Sequence, residues 1–477
     1  MTGQRAQDDV ERALQAARGS DCIVIAEETS SANLRWAGNT LTTNGVERSR
    51  RLTVIAVSSG QAGPAVGVVS RAGVRADQIP DLVAEAEQTA ADGPPAPDAQ
   101  PLLGPDTRSA AGAADAAASP DVGPAWDDPA SGTGPSVFSG FAGSLGDAFA
   151  VAAAAGQRLY GFAQHSVTSE FLGSSTGLRL RHDQPAGRAE LNAKSADLTR
   201  SAWAGAATRD FTDIQVAGMQ AGLATQLDWA ATQVELPAGP YETLLSPGAV
   251  ADLLIYLYWS AGAKDAMDGR TVFSKPGGGT RVGERLASLP LTLRSDPGAP
   301  GLLCEPFVVA RASSRESSVF DNGLPLGPTE WISGGELAAL TQTRHSAALS
   351  ALPVTPAIGN LILEVPGQAP SLAEMIRGTS RGLLVNCLWY IREVDPQNLL
   401  LTGLTRDGVY LVENGEVTGA VNNFRFNESP VGMLSRLAEV GATVPALPRE
   451  WGDYFNRVAM PPVRVEGFNM SSVSQAS

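Results

Sequence analysis

Histidine and cysteine are the side chains best suited to metal binding and nucleophilic chemistry, and this chain has only three of each. They are His165, His182, His345, Cys22, Cys304 and Cys387. His165 and His182 fall in neighbouring strand-like segments and could approach one another. With an acid such as Glu170 or Asp183 they would make a three-ligand metal site. Histidines in strands are more often surface or hydrogen-bonded residues, so the pattern favours a structural role and leaves metal binding as an alternative.

Cys387 and Ser175 are the candidate nucleophiles. Cys387 is flanked by large apolar residues and is interpreted as a small buried apolar side chain. A reactive thiolate would need a histidine or a helix N-terminus beside it. Residues 173–177 match the G-x-S-x-G pattern, but that chemistry requires a strand that turns sharply into a helix. Residues 178–181 alternate like a strand instead, so the pattern predicts a hairpin turn.

A third candidate site combines aromatic rings, guanidinium groups and amides in the C-terminal half of the chain. Its members are Trp389, Tyr390, Arg392, Arg406, Asp407, Asn423 and Arg425. Such groups suit recognition of an extended peptide backbone or of its carboxylate. The alternative is a network that ties strands together within a β-domain. We predict that these residues line a substrate channel or an interface, with no catalytic residue among them.

Charge and composition argue against several classes of function. The formal net charge is −15, whereas binding to nucleic acid requires clustered lysine and arginine. The cysteines are widely spaced and form no CxxC motif, as expected in a reducing compartment. The N-terminal segment lacks the apolar stretch of a signal peptide, and no run approaches the roughly 18 apolar residues of a membrane span. The sequence predicts a cytoplasmic protein that binds neither nucleic acid nor membrane.

Local patterns predict an α+β fold of at least two domains. A chain of 477 residues is longer than a domain with a single hydrophobic core usually is. Its 51 glycines and 32 prolines are typical of a turn-rich protein. We predict a mixed α/β N-terminal domain at 1–235, and a β-rich, largely antiparallel C-terminal domain at 236–477. The linker at 92–136 is rich in Ala, Pro, Gly and Asp and cannot bury enough apolar surface to offset chain entropy. A passive connection is expected there, with a lid or a partner-wrapping arm as the alternative.

Hydrophobic periodicity and turn residues predict the individual elements. Helices are expected at 6–18, 145–159 and 249–261, and strands at 22–26, 33–37, 52–57, 163–171, 177–182, 189–194, 223–236, 289–293, 361–365, 383–391 and 408–412. The Asn44-Gly45 pair predicts a hairpin turn after the second of these strands.

The block Gly382–Val417 contains an apolar strand, an Asp-Pro turn, a second strand pair and the tight turn Glu413–Glu416. This order, with its Arg-Asp-Gly and Glu-Asn-Gly, resembles the C-terminal core of the TldD/TldE (PmbA) family of metallopeptidase-related proteins. Leu34–Thr40 and Tyr160–Leu178 resemble the early and middle strands of the family. The linker has no specific counterpart.

The resemblance implies one of two kinds of subunit. TldD-type subunits carry zinc, and TldE-type subunits pair with them in a heterodimeric protease that takes unfolded or small peptides into an enclosed cavity. In a zinc-bearing member, the helix at 249–261 would carry HExxxH, with two imidazoles on the metal and the glutamate as general base. A cysteine ligand would follow near the C-terminus.

This chain departs from the zinc-bearing pattern in both places. It has no histidine between His182 and His345 and no cysteine after Cys387. The resemblance therefore implies a TldE-type subunit with no metal or cofactor of its own. It would form part of the substrate chamber for a TldD-type partner that carries the zinc.

Two other functions remain open at this point. The chain could be a stand-alone peptide- or metabolite-binding protein in which Trp389 and Arg392 contact the ligand. It could also be a stand-alone enzyme of altered chemistry that uses Cys387 or His165. The sequence does not determine the peptide substrate, the pathway, or whether the chain associates with itself.

Overall fold

A computed structural model describes residues 5–19, 21–60, 63–108 and 125–474. The centre of the predicted linker, 109–124, lies outside the described residues. The described α-helices are α1 (Ala6–Ala16), α2 (Ile79–Asp92), α3 (Ser139–Ala154), α4 (Val216–Trp229), α5 (Pro247–Trp259), α6 (Ala263–Met267), α7 (Arg344–Ser350), α8 (Leu372–Arg377) and α9 (Pro430–Ser435). Together with three mostly antiparallel sheets, they confirm the predicted α+β class.

The first sheet is formed by the N-terminal half of the chain. Its strands are β1 (Asp21–Trp36), β2 (Leu41–Gly60), β3 (Gly63–Ala72), β4 (Arg158–Ser174), β5 (Arg179–Lys194) and β6 (Ser201–Thr208). They lie in the order β3-β2-β1-β4-β5-β6, and every pair is antiparallel. Helices α1 and α2 pack with β1 and β2, and helices α3 and α4 pack with β4 and β5, on one face of this sheet. Because side chains alternate along a strand, the residues between the helix-facing ones point to the other face. We call it the open face because no helix covers it in the first half, although residues 307–324 of the second half pack on part of it.

The C-terminal half forms two further sheets. Their strands are β7 (Gln233–Val234), β8 (Gly239–Leu245), β9 (Thr292–Ser295), β10 (Thr329–Ser333), β11 (Glu336–Leu337), β12 (Leu361–Glu364), β13 (Arg381–Val385), β14 (Leu388–Asp395), β15 (Leu400–Thr405), β16 (Val409–Glu413), β17 (Glu416–Val421), β18 (Phe424–Glu428), β19 (Leu437–Val440), β20 (Val444–Ala446), β21 (Val458–Met460) and β22 (Val463–Val473). The second sheet has the order β11-β10-β9-β12-β21-β20, and the third β14-β15-β18-β22-β8-β13-β16-β17-β7, with β19 beside β22. Helix α5 carries apolar residues nearly all round, as expected of a helix that is buried in one core with both sheets.

The first hairpin turn lies elsewhere than predicted. Asn44-Gly45 is inside β2 and pairs with β1, and the chain reverses at Gly38-Asn39, where φ is 60° and 65°. Two consecutive residues with positive φ give the tight turn whose twist matches that of the flanking strands. Either Asn-Gly or Gly-Asn can supply this geometry, so the local sequence does not distinguish them. The observed register keeps the Trp36 side chain buried on the helix-covered face.

The strand predicted at 223–236 is wrong over most of its length. Val216, Gln220, Leu223 and Leu227 are buried at intervals of three and four residues, which is the period of a helix, and they belong to α4. Strand β6 was not predicted, because its alanine-rich sequence has weak strand propensity. The division at 235/236 stays a prediction.

Among the described residues, one helical stretch, Pro135–Ala154, is long and apolar enough to cross a membrane by length and composition. Phe141, Leu145 and Ala152 on this stretch are buried against the first sheet. Packing on the sheet therefore accounts for part of its apolar composition, since 28% of the stretch is buried.

Candidate functional site

A cleft of about 880 Å³ lies between the open face of the first sheet and the third sheet. The first half contributes Tyr160, Asn192, Lys194, Arg200 and Ser201, and the second half contributes Gln233, Trp389, Arg406, Asp407, Tyr410, Asn423 and Arg449. Four of the seven residues predicted from sequence, Trp389, Arg406, Asp407 and Asn423, therefore line one cavity. Each half supplies one wall of this cleft.

Arg449 crosses the cleft and was not selected from the sequence. Its guanidinium group lies 3.3 Å from a carboxylate oxygen of Glu190 and 3.5 Å from one of Asp407. It also lies over the rings of Trp203 and Trp389, at 4.5 Å and 5.2 Å from their centroids. Each of these contacts is a charge-assisted or cation–π interaction, so Arg449 holds both walls at a fixed separation.

Asp407 sits at the tip of the turn between β15 and β16. Its φ is 47° and that of Gly408 is 138°, both in the region that glycine tolerates best. The Ser201 hydroxyl donates to its carboxylate at 2.9 Å, which ties this turn to the first sheet. Arg406 beside it is exposed and lies 4.0 Å from the same carboxylate, at the limit of an ion pair. The Arg406–Asp407 pair is thus positioned by contacts with the opposite half.

Tyr390 and Arg392 lie on a bulge of β14, outside the lining of the cleft. The bulge places Tyr390 at φ 56° with 55% of the residue exposed. Glu450 accepts from the backbone N–H groups of Tyr390 and Ile391 at 2.8 Å and 3.2 Å, and pairs with Arg392 at 3.0 Å. The Arg392 guanidinium stacks over the Tyr390 ring at 4.5 Å. One carboxylate therefore fixes this exposed surface.

Arg425, the last predicted member, is also outside the cleft lining. It is exposed on β18, and its guanidinium donates to the Thr402 hydroxyl at 3.3 Å. Closeness to Asn423 in sequence therefore does not bring Arg425 into the cleft lining.

Helix α5 is the helix on which the family resemblance would place a zinc-binding motif. Its only acidic residue, Asp252, is fully buried and accepts from the backbone N–H groups of Arg449 at 3.1 Å and Glu450 at 3.0 Å. Burial raises the pKa of this carboxyl well above its usual range. Both of its oxygens therefore serve the segment that carries Arg449.

Aromatic rings fill the space between α5 and the segment at 449–455. The ring centroid of Trp451 lies 5.8 Å from that of Tyr256 and 5.1 Å from that of Trp259. Its indole N–H donates to the Asp252 carbonyl at 2.9 Å. Phe455 lies 6.0 Å from Tyr258. A Zn²⁺ site requires nitrogen, sulfur or carboxylate ligands, and this packed aromatic cluster does not fit one.

The two histidines of the alternative metal site do not meet. His165 pairs with Gly187 and His182 with Glu170, so they are five positions apart along adjacent strands and on opposite faces of the sheet. The ring nitrogens of His165 lie 2.7 Å from the Thr133 hydroxyl and 2.7 Å from the Arg209 carbonyl. Among the described residues, no group of three or more His, Cys, Asp and Glu side chains could hold a metal ion. The hydrogen bonds of His165 are those of a structural residue.

Cys387 is buried beside the cleft with Trp203 and Leu447. Its thiol donates to the Arg406 carbonyl at 2.8 Å, and burial raises the pKa of the thiol above its ordinary value. The thiolate, which is the nucleophile, is therefore disfavoured. Likewise, the pattern at 173–177 covers the end of β4 and the turn to β5, so it forms the predicted hairpin and not a nucleophile elbow.

A second cavity, of about 560 Å³, lies farther along the open face. His182, Gln184, Leu303 and Arg457 are among its lining residues, together with several prolines. The sequence contained no signal for this cavity, because its walls come from distant segments.

Comparison with known proteins identifies the C-terminal half most directly. Residues 238–472 match the family model of the PmbA/TldA metallopeptidase C-terminal domain. Among curated protein sequences, none is significantly similar to this chain.

Solved structures share the whole fold. One is TldE from Thermococcus kodakarensis, at 16% identity, covering 96% of this chain and 98% of that one with a TM-score of 0.75. Another is a candidate modulator of DNA gyrase from Thermotoga maritima, at 16% identity, 97% and 99% coverage and a TM-score of 0.74. A third, from Bacteroides thetaiotaomicron with the same description, has 14% identity, 98% coverage of both chains and a TM-score of 0.72. At these identities the likeness establishes the fold alone.

Proposed function

The chain belongs to the PmbA/TldD family of metallopeptidase-related proteins, and we propose that it is the metal-free, TldE-type subunit of a heterodimeric zinc peptidase. A TldD-type partner carries the zinc and cleaves unfolded or small peptides. This chain contributes part of the substrate chamber and no catalytic residue. We place the complex in the cytoplasm.

The observation that carries the proposal is the environment of helix α5. Where a zinc-bearing relative would present histidines, this helix presents Asp252 to two backbone N–H groups, and aromatic rings to Trp451 and Phe455. Opening a metal site there would break a buried hydrogen-bond network and an apolar cluster at once. Asp252 and the aromatic residues of helix α5 thus hold the Arg449 segment in place.

The cleft supports a role in the substrate chamber. Trp389, Arg406, Asp407 and Asn423 line it together, and Arg449 braces it from within. Aromatic, cationic and amide groups in one concave surface suit an extended peptide. The exposed bulge at Tyr390 and Arg392, with Arg425, lies outside this lining and is proposed as contact surface for the partner.

Co-expression with the TldD-type subunit of the same genome tests the proposal. We expect a stable complex in size-exclusion chromatography, with zinc in proportion to the partner alone. The complex should cleave an unfolded peptide, whereas this chain alone should not. Replacing the glutamate of the partner's HExxxH motif by glutamine should abolish cleavage without dissociating the complex.

Three outcomes would overturn the proposal. They are the absence of a complex, stoichiometric zinc in the isolated chain, and peptide cleavage by the isolated chain. For the third outcome, Cys387→Ala and His165→Ala would show whether either side chain is responsible.

A stand-alone binding protein is the second candidate, because the complete cleft is formed within one chain. Under this candidate the isolated chain binds its ligand with the same affinity whether or not a TldD-type subunit is present. A change in peptide affinity on adding the partner distinguishes the two.

A further inference from the structure

The cleft has a charge opposite to that of the chain as a whole. Four cationic side chains line it, Lys194, Arg200, Arg406 and Arg449, against one carboxylate, Asp407. Glu190 also pairs with Arg449 from just outside the lining. With Asp197, whose carboxylate interacts with Arg200, the count is four cations against three acids, in a chain whose formal net charge is −15.

The cations stand on both sides of the cleft. Lys194 ends β5 and Arg200 precedes β6, so both lie on the hairpin between these strands. Arg406 lies on the facing turn of the third sheet, with Asp407 as its nearest acid at 4.0 Å. Within the described residues, no ion pair involves Lys194. The charges of Lys194 and Arg406 are therefore only weakly neutralised by neighbouring acids and can attract a bound anion.

The rest of the lining suits a peptide backbone. Asn192, Gln233 and Asn423 bring amide groups to the cleft, and Tyr160 and Trp389 bring aromatic rings. Amides both donate and accept, which matches the alternating N–H and C=O groups of a peptide. A volume of about 880 Å³ is in the range of clefts that enclose small ligands. It therefore suits a short peptide segment.

We propose that this cleft selects acidic peptide segments by binding their carboxylates between Lys194 and Arg406. An arginine fork matches a carboxylate in geometry, and the walls of a cleft concentrate the attraction. The peptide nature of the ligand rests on the proposed function. The same cations would accept phosphate, so the experiment has to separate the two anions.

Calorimetric titration of the isolated chain with two unfolded peptides tests the selection. The peptides have blocked ends and differ only in carrying Asp and Glu, or Asn and Gln, at the same positions. We expect the acidic peptide to bind about tenfold tighter, as for a hydrogen bond between charged groups. Because salt screens charges, this preference should shrink as ionic strength rises.

Charge-removing variants locate the site. Arg406→Gln and Lys194→Gln should each weaken binding of the acidic peptide about tenfold and leave the amide peptide unchanged. Arg48→Gln is the matched control, since it removes the same charge from an exposed position of β2 that is outside the lining. It should bind both peptides like the wild type. Thermal unfolding of each variant verifies that the fold is intact.

Equal affinity for the two peptides would overturn the inference, and so would an equal loss in Arg48→Gln. Inorganic phosphate is also titrated alone and in competition with the acidic peptide. If phosphate binds the cleft as tightly as the peptide does and displaces it, the peptide assignment is wrong. The subunit role and the selection of acidic peptides are tested by different outcomes. A complex that cleaves both peptides at the same rate contradicts only the selection, and selective binding without a complex contradicts only the subunit role.

Discussion

Asp252 connects helix α5 with the segment that carries Arg449. Its two carboxylate oxygens accept the backbone N–H groups of Arg449 and Glu450, and nothing else in the described structure replaces them. Glu450 in turn holds the Tyr390 bulge through two backbone N–H groups. The two carboxylates thus place the cleft arginine and the exposed bulge in one chain of contacts.

Asp252→Ala should lower the free energy of unfolding by about 3 kcal/mol, because it leaves two buried N–H groups without acceptors. Asp252→Asn keeps one carbonyl oxygen and should lose less. Urea denaturation of the three proteins measures the difference. Stability of Asp252→Ala within about 0.5 kcal/mol of the wild type would show that the segment holds its position without this carboxyl.

The cleft residues that are close together in sequence could be predicted from their residue types. Trp389, Arg406, Asp407 and Asn423 share one block of strands and turns, so their spacing already suggested a shared surface. Lys194 and Arg449 come from segments more than 200 residues apart, and no local pattern links them. Arg449 lies in a segment that the sequence characterised only by its missing cysteine.

Helix α5 and the segment at 449–455 form one packed unit. Trp451 packs against Tyr256 and Trp259, and Phe455, four residues later, packs against Tyr258. Tyr454, in the same segment, has 78% of its surface exposed. The sequence predicted a helix at 249–261, but only the packing reveals what covers it.

Trp451→Ala should lower the free energy of unfolding by about 3 kcal/mol, because it removes a large ring from this cluster together with its hydrogen bond. Tyr454→Ala deletes an aromatic ring of similar size from an exposed site and should change stability by less than about 0.5 kcal/mol. Thermal and urea unfolding compare the two variants. Equal losses in both would contradict the packed unit.

The two halves of the molecule are joined by ion pairs as well as by the contacts across the cleft. Arg311, from the second half, pairs with Glu27 at 2.6 Å and with Glu170, both on the open face of the first sheet. Burial raises the pKa of Glu170 from 4.5 to about 7, although the ion pair with Arg311 opposes this shift. This junction therefore titrates near neutral pH.

Glu170 makes stability depend on pH in a defined direction. Since its pKa is higher in the folded chain than in the unfolded chain, its stabilising contribution is complete below pH 4.5 and is lost as the pH rises through about 7. The loss amounts to about 3 kcal/mol. Glu170→Gln cannot titrate, so its stability relative to the wild type should rise by about that amount from about pH 5 to about pH 8.

Urea denaturation across this pH range measures the effect. Glu85→Gln serves as control, because Glu85 forms an ion pair with Arg71 at the exposed surface. Its difference from the wild type should stay nearly constant with pH. If Glu170→Gln and the wild type keep the same difference at every pH, the junction does not titrate as described.

The sequence alone determined the family resemblance, the α+β class, the turns at 173–177 and 413–416, and the lack of histidines on helix α5. These features depend on residue type and short-range spacing, which a single segment contains completely. Tertiary structure alone decided that 216–229 is a helix and that Arg449 contacts Asp407 and Glu190. It also decided which surface each set of alternating residues on β5 faces. Those outcomes depend on burial and charge contacts between distant segments, whose energies exist only once the sheets have packed together.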